Sequence, residues 1–333
     1  MLNPVSVVIT CHNLEKYIGL SIESVLNQDF PGPVEIVVVN DCSTDSSEAV
    51  IRGYRGIRCI STKRNLGVLL ATVLGIESTS GELVFFLDGD DIWERSKLST
   101  VVQMFRDDSR LGLVTHDLTY IDGNGRILSR QARPGEVMKN IPLPLQGAVT
   151  REGILMHSDY VWLGSAFAVH RKLGNLKDFC DFVKALEDPF NTYQDWPLAF
   201  WVACHSSLNC GYVHQKMFRY RLHGANHSGD ASSVAKAVRN VYRSRNTLWA
   251  IKKIAVRFNA SANVLRVTKQ KLNFYSYLHT LYAGSRWRAA WGFVTSLPYI
   301  CTGSASFGKE TTRFLGVQIL GLRRFIRIVE VLK

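Results

Sequence analysis

The sequence predicts an α/β fold: a mostly parallel central sheet with helices on both faces, joined to a basic, mainly helical C-terminal region. Three observations predict it. Short apolar runs alternate with segments of helical periodicity through the N-terminal part of the chain. Three of those runs end in polar clusters, Thr10–Asn13, Asn40–Asp45 and Asp88–Asp91. From Lys236 to Lys333 there are 18 Lys and Arg against two acidic residues, a net +16, which leaves −4 for Met1–Ala235 of the chain's +12.

The elements follow in order. Val5–Thr10 is a β-branched run, hence a buried strand. Leu14–Gln28 places Leu14, Tyr17, Ile18, Ile22, Val25 and Leu26 at helical spacing, and Pro31-Gly32-Pro33 breaks the chain. Val34–Val39 is a second strand. The turn after it offers Ser43, Thr44 and Asp45 as caps for a following helix. Ile57–Ser61 reads as a strand, Gly67–Glu77 as a helix and Leu83–Leu87 as a continuous apolar strand. Leu111–Thr115 and Ala166–His170 follow as strands, with a turn at Asp122–Gly125. Gln194–Ala203 is helical, Asn209–Tyr220 is strand-like, and a long basic helical pattern begins near Ser232.

The bulk properties narrow the class. With 333 residues, 46% of them apolar, the chain can bury one large α/β domain and an appendage. No leader-like start and no apolar run of the ~18 residues a spanning helix needs is read, so a cytoplasmic protein is expected. The seven cysteines form no CxxC pair and are read as reduced, mostly buried thiols.

Ligands of open parallel sheets bind beyond the carboxyl ends of the strands, where the three polar clusters gather. In Asp88-Gly89-Asp90-Asp91 three carboxylates at one strand end repel one another, and a divalent cation bridging phosphates reconciles them. Asp41 is placed to accept from a base N–H or a ribose hydroxyl, although the position also suits a helix cap. Lys63, Arg64 and Asn65 offer contacts to a diphosphate or form a solvated loop. Asp195 opens a helix, either as a general base for an acceptor hydroxyl or as a charge favoured by the helix dipole; Glu187-Asp188 is a rival pair. His223, in a polar loop with His227, is a metal or phosphate ligand or a structural histidine.

Together these pieces resemble the family 2 inverting glycosyltransferases of the GT-A fold, of the bacterial polysaccharide and cell-surface glycan type. The resemblance is carried by VSVVITCHNLEKYIGLSIESVLNQ (Val5–Gln28), EIVVVNDCSTDSS (Glu35–Ser47), RNLGVLLATVLGIESTSGELVFFLDGDDIW (Arg64–Trp93), QDWPLAFWVA (Gln194–Ala203) and YRLHGANHS (Tyr220–Ser228). It implies a donor site of Thr10, His12, Asn13, Asp41, Arg64, Asn65, Asp88 and Gly89, with Thr10 and Asp41 on the nucleoside. It implies Mn²⁺ or Mg²⁺ at Asp90, with Asp88 and His223. It implies Asp195 as catalytic base, and an acceptor site at Gly164, Ser165, Gln194 and Trp196, the strand around Gly164–Ala166 lining it. The implied partners are a nucleoside-diphosphate sugar, a UDP-sugar first, and a glycan or lipid-linked acceptor. Three departures stand out: Asn40 for the usual Asp, Gln194 for the usual Glu, and Ala71-Thr72-Val73 for Ala-Arg-Asn. The last passes the basic donor contact to Lys63 or Arg64.

The expected division is a catalytic domain over 1–231, with a nucleotide-sugar half to about 115 and an acceptor half over 116–231, and the basic helical region over 232–333. In that region Arg313, Arg323, Arg324 and Arg327 share one helix sector beside a broad apolar face. The pattern suits an anionic membrane surface, on the cytoplasmic face, or a helix docked on the catalytic domain. Nucleic acid is not expected as a partner, because no helix-turn-helix, zinc or RNA-recognition signature accompanies the charge. The competing reading is a basic nucleic-acid- or membrane-binding protein with a non-catalytic GT-A-like domain. A sugar-1-phosphate nucleotidyltransferase is the disfavoured rival, because Thr10–Glu15 lacks the Gly-rich basic loop a triphosphate needs; pyrophosphate release from a nucleoside triphosphate would revive it.

Overall fold

The structure, a computed structural model, describes residues 4–128, 145–146, 163–205, 209–223, 234–282 and 286–299. The chain forms two compact units, Met1–Asn226 and His227–Lys333.

The first unit is built on nine strands among the described residues. β1 (Val5–Cys11), β2 (Val34–Asn40), β3 (Arg58–Ser61) and β4 (Leu83–Asp88) pair in parallel. Helices α1 (Ile18–Leu26), α2 (Ser47–Arg52) and α3 (Val68–Glu77) lie between them in sequence. Strands covered on both faces need apolar side chains in both directions. Val7, Ile9, Val37, Val38, Val39, Leu83, Val84 and Phe85 are accordingly all buried. After β4 come β5 (Ile92–Trp93), α4 (Lys97–Asp107), β6 (Leu111–Asp122), β7 (Leu145–Gln146), β8 (Ala168–His170), α5 (Leu176–Lys184), α6 (Asp195–Ala203) and β9 (Asn209–Leu222). The sheet order is β3-β2-β1-β4-β8-β6-β9-β5, with β7 paired to β9.

Register positions the strand ends. Thr10 lies opposite Asp88, Cys11 opposite Asn40, and Asn40 opposite Ser61. The three polar clusters therefore share the carboxyl edge of the parallel strands, as the sequence predicts.

Some expectations change. α1 begins at Ile18 rather than Leu14. Asn13 takes a left-handed backbone (φ 55), and the Leu14 carbonyl accepts from both Tyr17 and Ile18 N–H, so the first apolar residues form a turn. Gly164–Ala166 is a 3-10 turn, not a strand. β5, α4 and α5 have no counterpart in the sequence reading. The turn at Asp122–Gly125 is present: the Asp122 carboxylate accepts from the N–H of Asn124 and Arg126, and Gly125 supplies φ 84. The N-cap of α2 is Ser46, with no side-chain capping bond, and Asp45 Oδ1, one residue earlier, accepts the Ser47 N–H at 3.0 Å.

The second unit holds α7 (Val234–Arg257), α8 (Ala262–Tyr282) and α9 (Arg286–Tyr299). α8 packs against both others. Phe274, Tyr277, Leu278, Leu281 and Ala289 form a core there. A Cβ on Gly292 would stand 3.1 Å from Tyr277 Cα, so glycine permits the close α8–α9 approach. The Arg313–Arg327 sector lies outside the described residues. No helix among the described residues is long and apolar enough to cross a membrane.

Candidate functional site

The site grows from the ends of β1, β2 and β4. Asp88, the last residue of β4, receives the Gln194 Nε2–H at 2.8 Å and the Thr10 hydroxyl at 3.2 Å, both on Oδ1. Burial and the neighbouring charge of Asp90 push its carboxyl up to about 6, from an ordinary 3.8, against the pull of those hydrogen bonds. Gly89 packs where no side chain fits: its N–H donates to the Thr10 carbonyl at 2.8 Å, and a Cβ would stand 2.8 Å from the same oxygen.

Asp90 and His223 meet across the site, Oδ2 to Nε2 at 3.0 Å, with side chains only 16% and 8% exposed. The Tyr17 ring covers the imidazole at 4.7 Å, and the Arg221 guanidinium lies over the same ring at 4.8 Å. The structure thus joins β9 to the acidic turn, which sequence distance hides. A divalent cation fits this donor set chemically. Two crowded carboxylates and an imidazole supply oxygen and nitrogen, and Asp88 is already raised by the charge next to it. Among the described residues, however, no three His, Cys, Asp or Glu side chains converge as a ready-made cage.

Asp91 departs from the expected trio. It is 1% exposed and faces the interior, where Oδ2 accepts the Ser165 hydroxyl at 2.6 Å and Oδ1 accepts the Arg221 main-chain N–H at 2.9 Å. Burial holds its carboxyl well above the usual range, with Asp90 and Asp88 adding to the rise. Adjacent residues point apart, so Asp90 opens to the site and Asp91 closes the core. Ser165, expected at the acceptor, has its hydroxyl engaged between Asp91 and the Asp88 N–H. Gln194, also expected there, reaches Asp88 and Thr72 instead. Trp196 is packed inside, 7% exposed. Gly164 lies against Gln194: a Cβ would stand 2.4 Å from its Nε2.

Lys97 is absent from the sequence reading. Fully buried on α4, its Nζ donates to the Ser165 carbonyl at 2.5 Å and sits 4.0 Å over the Trp93 ring. Desolvation pulls its pKa well below 10.5, partly opposed by Asp91. Its signal was the helical register: Lys97 lies four residues before Val101 on the face that buries Leu98, Val102 and Phe105.

The β2 end of the site is organised around Asp41, which is 3% exposed. Its carboxylate accepts from the Thr62 hydroxyl and the N–H of Leu66 and Gly67, at 3.0, 2.7 and 2.9 Å. It thereby fixes the loop carrying Lys63, Arg64 and Asn65, both cations being exposed. His12 Nδ1 lies 2.6 Å from the Asp41 carbonyl, which can only accept, so this nitrogen carries the proton. His12 Nε2 is then the acceptor for the amides of Asn65 and Asn13, at 3.1 and 3.3 Å. Asn40 is explained locally. It is 1% exposed and its amide faces Glu48 at 3.3 Å, where an aspartate would meet like charge.

Asp195 is the first residue of α6, half-buried, with Oδ1 on the Trp196 N–H at 3.0 Å. Its rival Asp188 turns back on its own loop, accepting from Asn191. The residues from 224 onward in the His223 loop, including His227, lie outside the described residues.

Comparison with known proteins follows the same lines. Residues 6–171 match the family described as Glycosyl transferase family 2. An uncharacterized glycosyltransferase of Nostoc sp. is 28% identical over 234 residues, 69% of this chain and 68% of its own length. The putative teichuronic acid biosynthesis glycosyltransferase TuaG of Bacillus subtilis is 32% identical over 109 residues, 32% of this chain and 43% of that protein. Two solved structures share the fold. S. aureus TarS 1-349 in complex with UDP-GlcNAc has a TM-score of 0.54 at 16% identity, covering 89% of this chain and 91% of that one. The mannosyltransferase PcManGT from Pyrobaculum calidifontis, in complex with GDP-Man and Mn²⁺, has a TM-score of 0.57 at 14% identity, covering 99% and 87%.

Proposed function

The chain belongs to glycosyl transferase family 2 through residues 6–171, and from that premise we propose that it transfers a sugar, with inversion, from a nucleoside-diphosphate sugar to a hydroxyl of a surface polysaccharide or lipid-linked glycan. The observation that carries this reading is the meeting of Thr10, Asp88, Asp90 and His223 with Gln194, the residue that precedes Asp195 and α6, at the carboxyl edge of the parallel strands. The donor is a UDP-sugar first: TarS was solved with UDP-GlcNAc, although PcManGT holds GDP-Man. The surface-polymer acceptor is supported by the name of TuaG.

In this reading His12, Asn13, Asp41 and Asn65 shape the nucleoside end, and Asp41 keeps lone-pair capacity for one more donor, such as a base N–H. Arg64 and Lys63, exposed on the loop that Asp41 fixes, reach the diphosphate. Asp88 and Thr10 take the ribose side. A divalent cation, Mn²⁺ or Mg²⁺, held by Asp90 with Asp88 and His223, would neutralise charge on the departing diphosphate. Asp195 removes the acceptor proton as the new bond forms on the face of the sugar opposite the leaving group. Positioning and charge stabilisation supply most of the acceleration.

The second unit is assigned to an anionic membrane surface at the cytoplasmic face, where a lipid-linked acceptor would sit. It is supported by twelve Lys and Arg and no Asp or Glu between 234 and 299.

The test is a panel of UDP-, GDP- and dTDP-sugars, followed by product analysis. One donor family should release its nucleotide, slowly to water and faster to acceptor, and NMR of the product should show the inverted anomer. A retained anomer removes the single-displacement mechanism; a folded protein that accepts no donor removes the proposal.

A further inference from the structure

Two positions far apart in sequence, Thr72 on α3 and Gln194 ahead of α6, meet in the buried wall of the site, and what they do there rests on the transferase reading above. Asp88, when ionised, can only accept, so the Gln194 group 2.8 Å from its Oδ1 is the NH₂ end of the amide. That orientation turns Oε1 toward Thr72, whose single hydroxyl proton is shared between Oε1 and the Val68 carbonyl, 2.8 Å away in the preceding turn of α3. The result is a directed, charge-neutral relay: Thr72 hydroxyl to Gln194 carbonyl, Gln194 amide to Asp88 carboxylate. Both relay side chains are buried, Thr72 1% and Gln194 8% exposed. The amide sits against Gly164, where a Cβ would stand 2.4 Å from Nε2, so any side chain at 164 would displace it. The next residue along the chain is Asp195.

We propose that Gln194 is a positioning residue that ties the helix bearing the base Asp195 to the donor-side carboxylate Asp88, with Thr72 fixing the amide's orientation and Gly164 making room for it. The bridge must be neutral. A glutamate at 194 would set a further carboxylate against Asp88 and Asp90, and nothing at Thr72 could offset it.

Thr72→Ser, Thr72→Val, Gln194→Met and the Thr72→Val/Gln194→Met double variant separate positioning from simple stability. Each is measured for kcat and donor KM with whichever of the UDP-, GDP- and dTDP-sugars wild type turns over, for Tm, and for hydrogen exchange of the peptide spanning 194–203. Thr72→Ser should behave as wild type. Thr72→Val and Gln194→Met should lower kcat by roughly 10- to 100-fold, the scale of a small misplacement of a reacting group, with donor KM changing little and Tm falling while the protein stays folded at the assay temperature. The double variant should be no worse than Gln194→Met alone, because both act through one bridge. Exchange at the start of α6 should quicken in Thr72→Val and Gln194→Met and not in Thr72→Ser. Full kcat in folded Gln194→Met, losses that multiply in the double variant, or unchanged exchange would overturn the proposal. If wild type transfers no sugar while exchange still loosens as expected, the bridge stands as a tether and the transferase reading is what has failed.

Discussion

The Ser165 hydroxyl donates to Asp91 Oδ2 at 2.6 Å, and the Ser165 Oγ accepts the Asp88 main-chain N–H at 3.0 Å. One hydroxyl thereby ties the acidic turn to the 3-10 turn at Gly164–Ala166. Lys97 closes the arrangement from below through the Ser165 carbonyl. Asp91 therefore orients its neighbours from inside the core.

Asp91→Asn should destabilise the first unit by about 3 kcal/mol. The amide has one accepting oxygen, and either the Ser165 hydroxyl or the Arg221 N–H then faces an NH₂ in the core. Ser165→Ala should cost about 2 kcal/mol, because two buried polar groups lose their partner. Chemical denaturation of the three proteins checks both. An Asp91→Asn variant as stable as wild type would show that Asp91 is not held as described.

His116 gives the unit a pH dependence. It is 1% exposed, and burial first, then the charge of Lys97, hold its pKa well below 6.5. Its Nδ1 donates to the Asp117 carbonyl at 2.9 Å. The folded pKa is depressed, so the unfolded chain takes the proton first, and stability is lost as pH falls below about 6.5. Between pH 6.5 and 5.5 wild type should lose about 1 kcal/mol more than His116→Gln, which cannot charge. Parallel pH curves for the two proteins would remove His116 as the source.

The helical unit carries exposed Trp249 and Val256 about two helical turns apart on α7, with Lys252 over the Trp249 ring at 4.7 Å and Lys253 and Arg257 exposed beside them. Aromatic and basic groups together suit the headgroup region of an anionic bilayer. The protein should float with vesicles containing anionic lipid at low salt, stay behind with neutral vesicles, and lose flotation in Lys252→Glu/Lys253→Glu. Equal flotation with neutral vesicles, or none with anionic ones, would contradict the membrane assignment.

Much of this was legible in the sequence for a definite reason. Runs such as Val34–Val39 and Leu83–Leu87 are apolar in both directions, which only a sheet covered on both faces demands, and parallel strands bring their ends to one edge. That is why Thr10, Asp41 and Asp88 could be grouped before any geometry. What could not be read was direction. Asp90 and Asp91 are neighbours in one acidic motif, yet one pairs with His223 at the site and the other is sealed against Ser165. Ser165 and Gln194 were legible as site residues, but their polar atoms are engaged with Asp91, Asp88 and Thr72. Lys97 escaped notice because a lysine reads as surface unless the helical face it shares is traced. The 3-10 turn at Gly164–Ala166 is too short to leave any periodicity.

The measurement that tests the central claim most directly is thermal stabilisation by nucleoside-diphosphate sugars, in Mn²⁺, Mg²⁺ or EDTA, for wild type and Asp90→Ala. The account predicts that one nucleotide family stabilises wild type in the presence of metal, that EDTA removes most of the shift, and that Asp90→Ala, itself folded, shows none of the metal-dependent part. Stabilisation that is equal in EDTA and in Asp90→Ala, or absent for every donor, would contradict it.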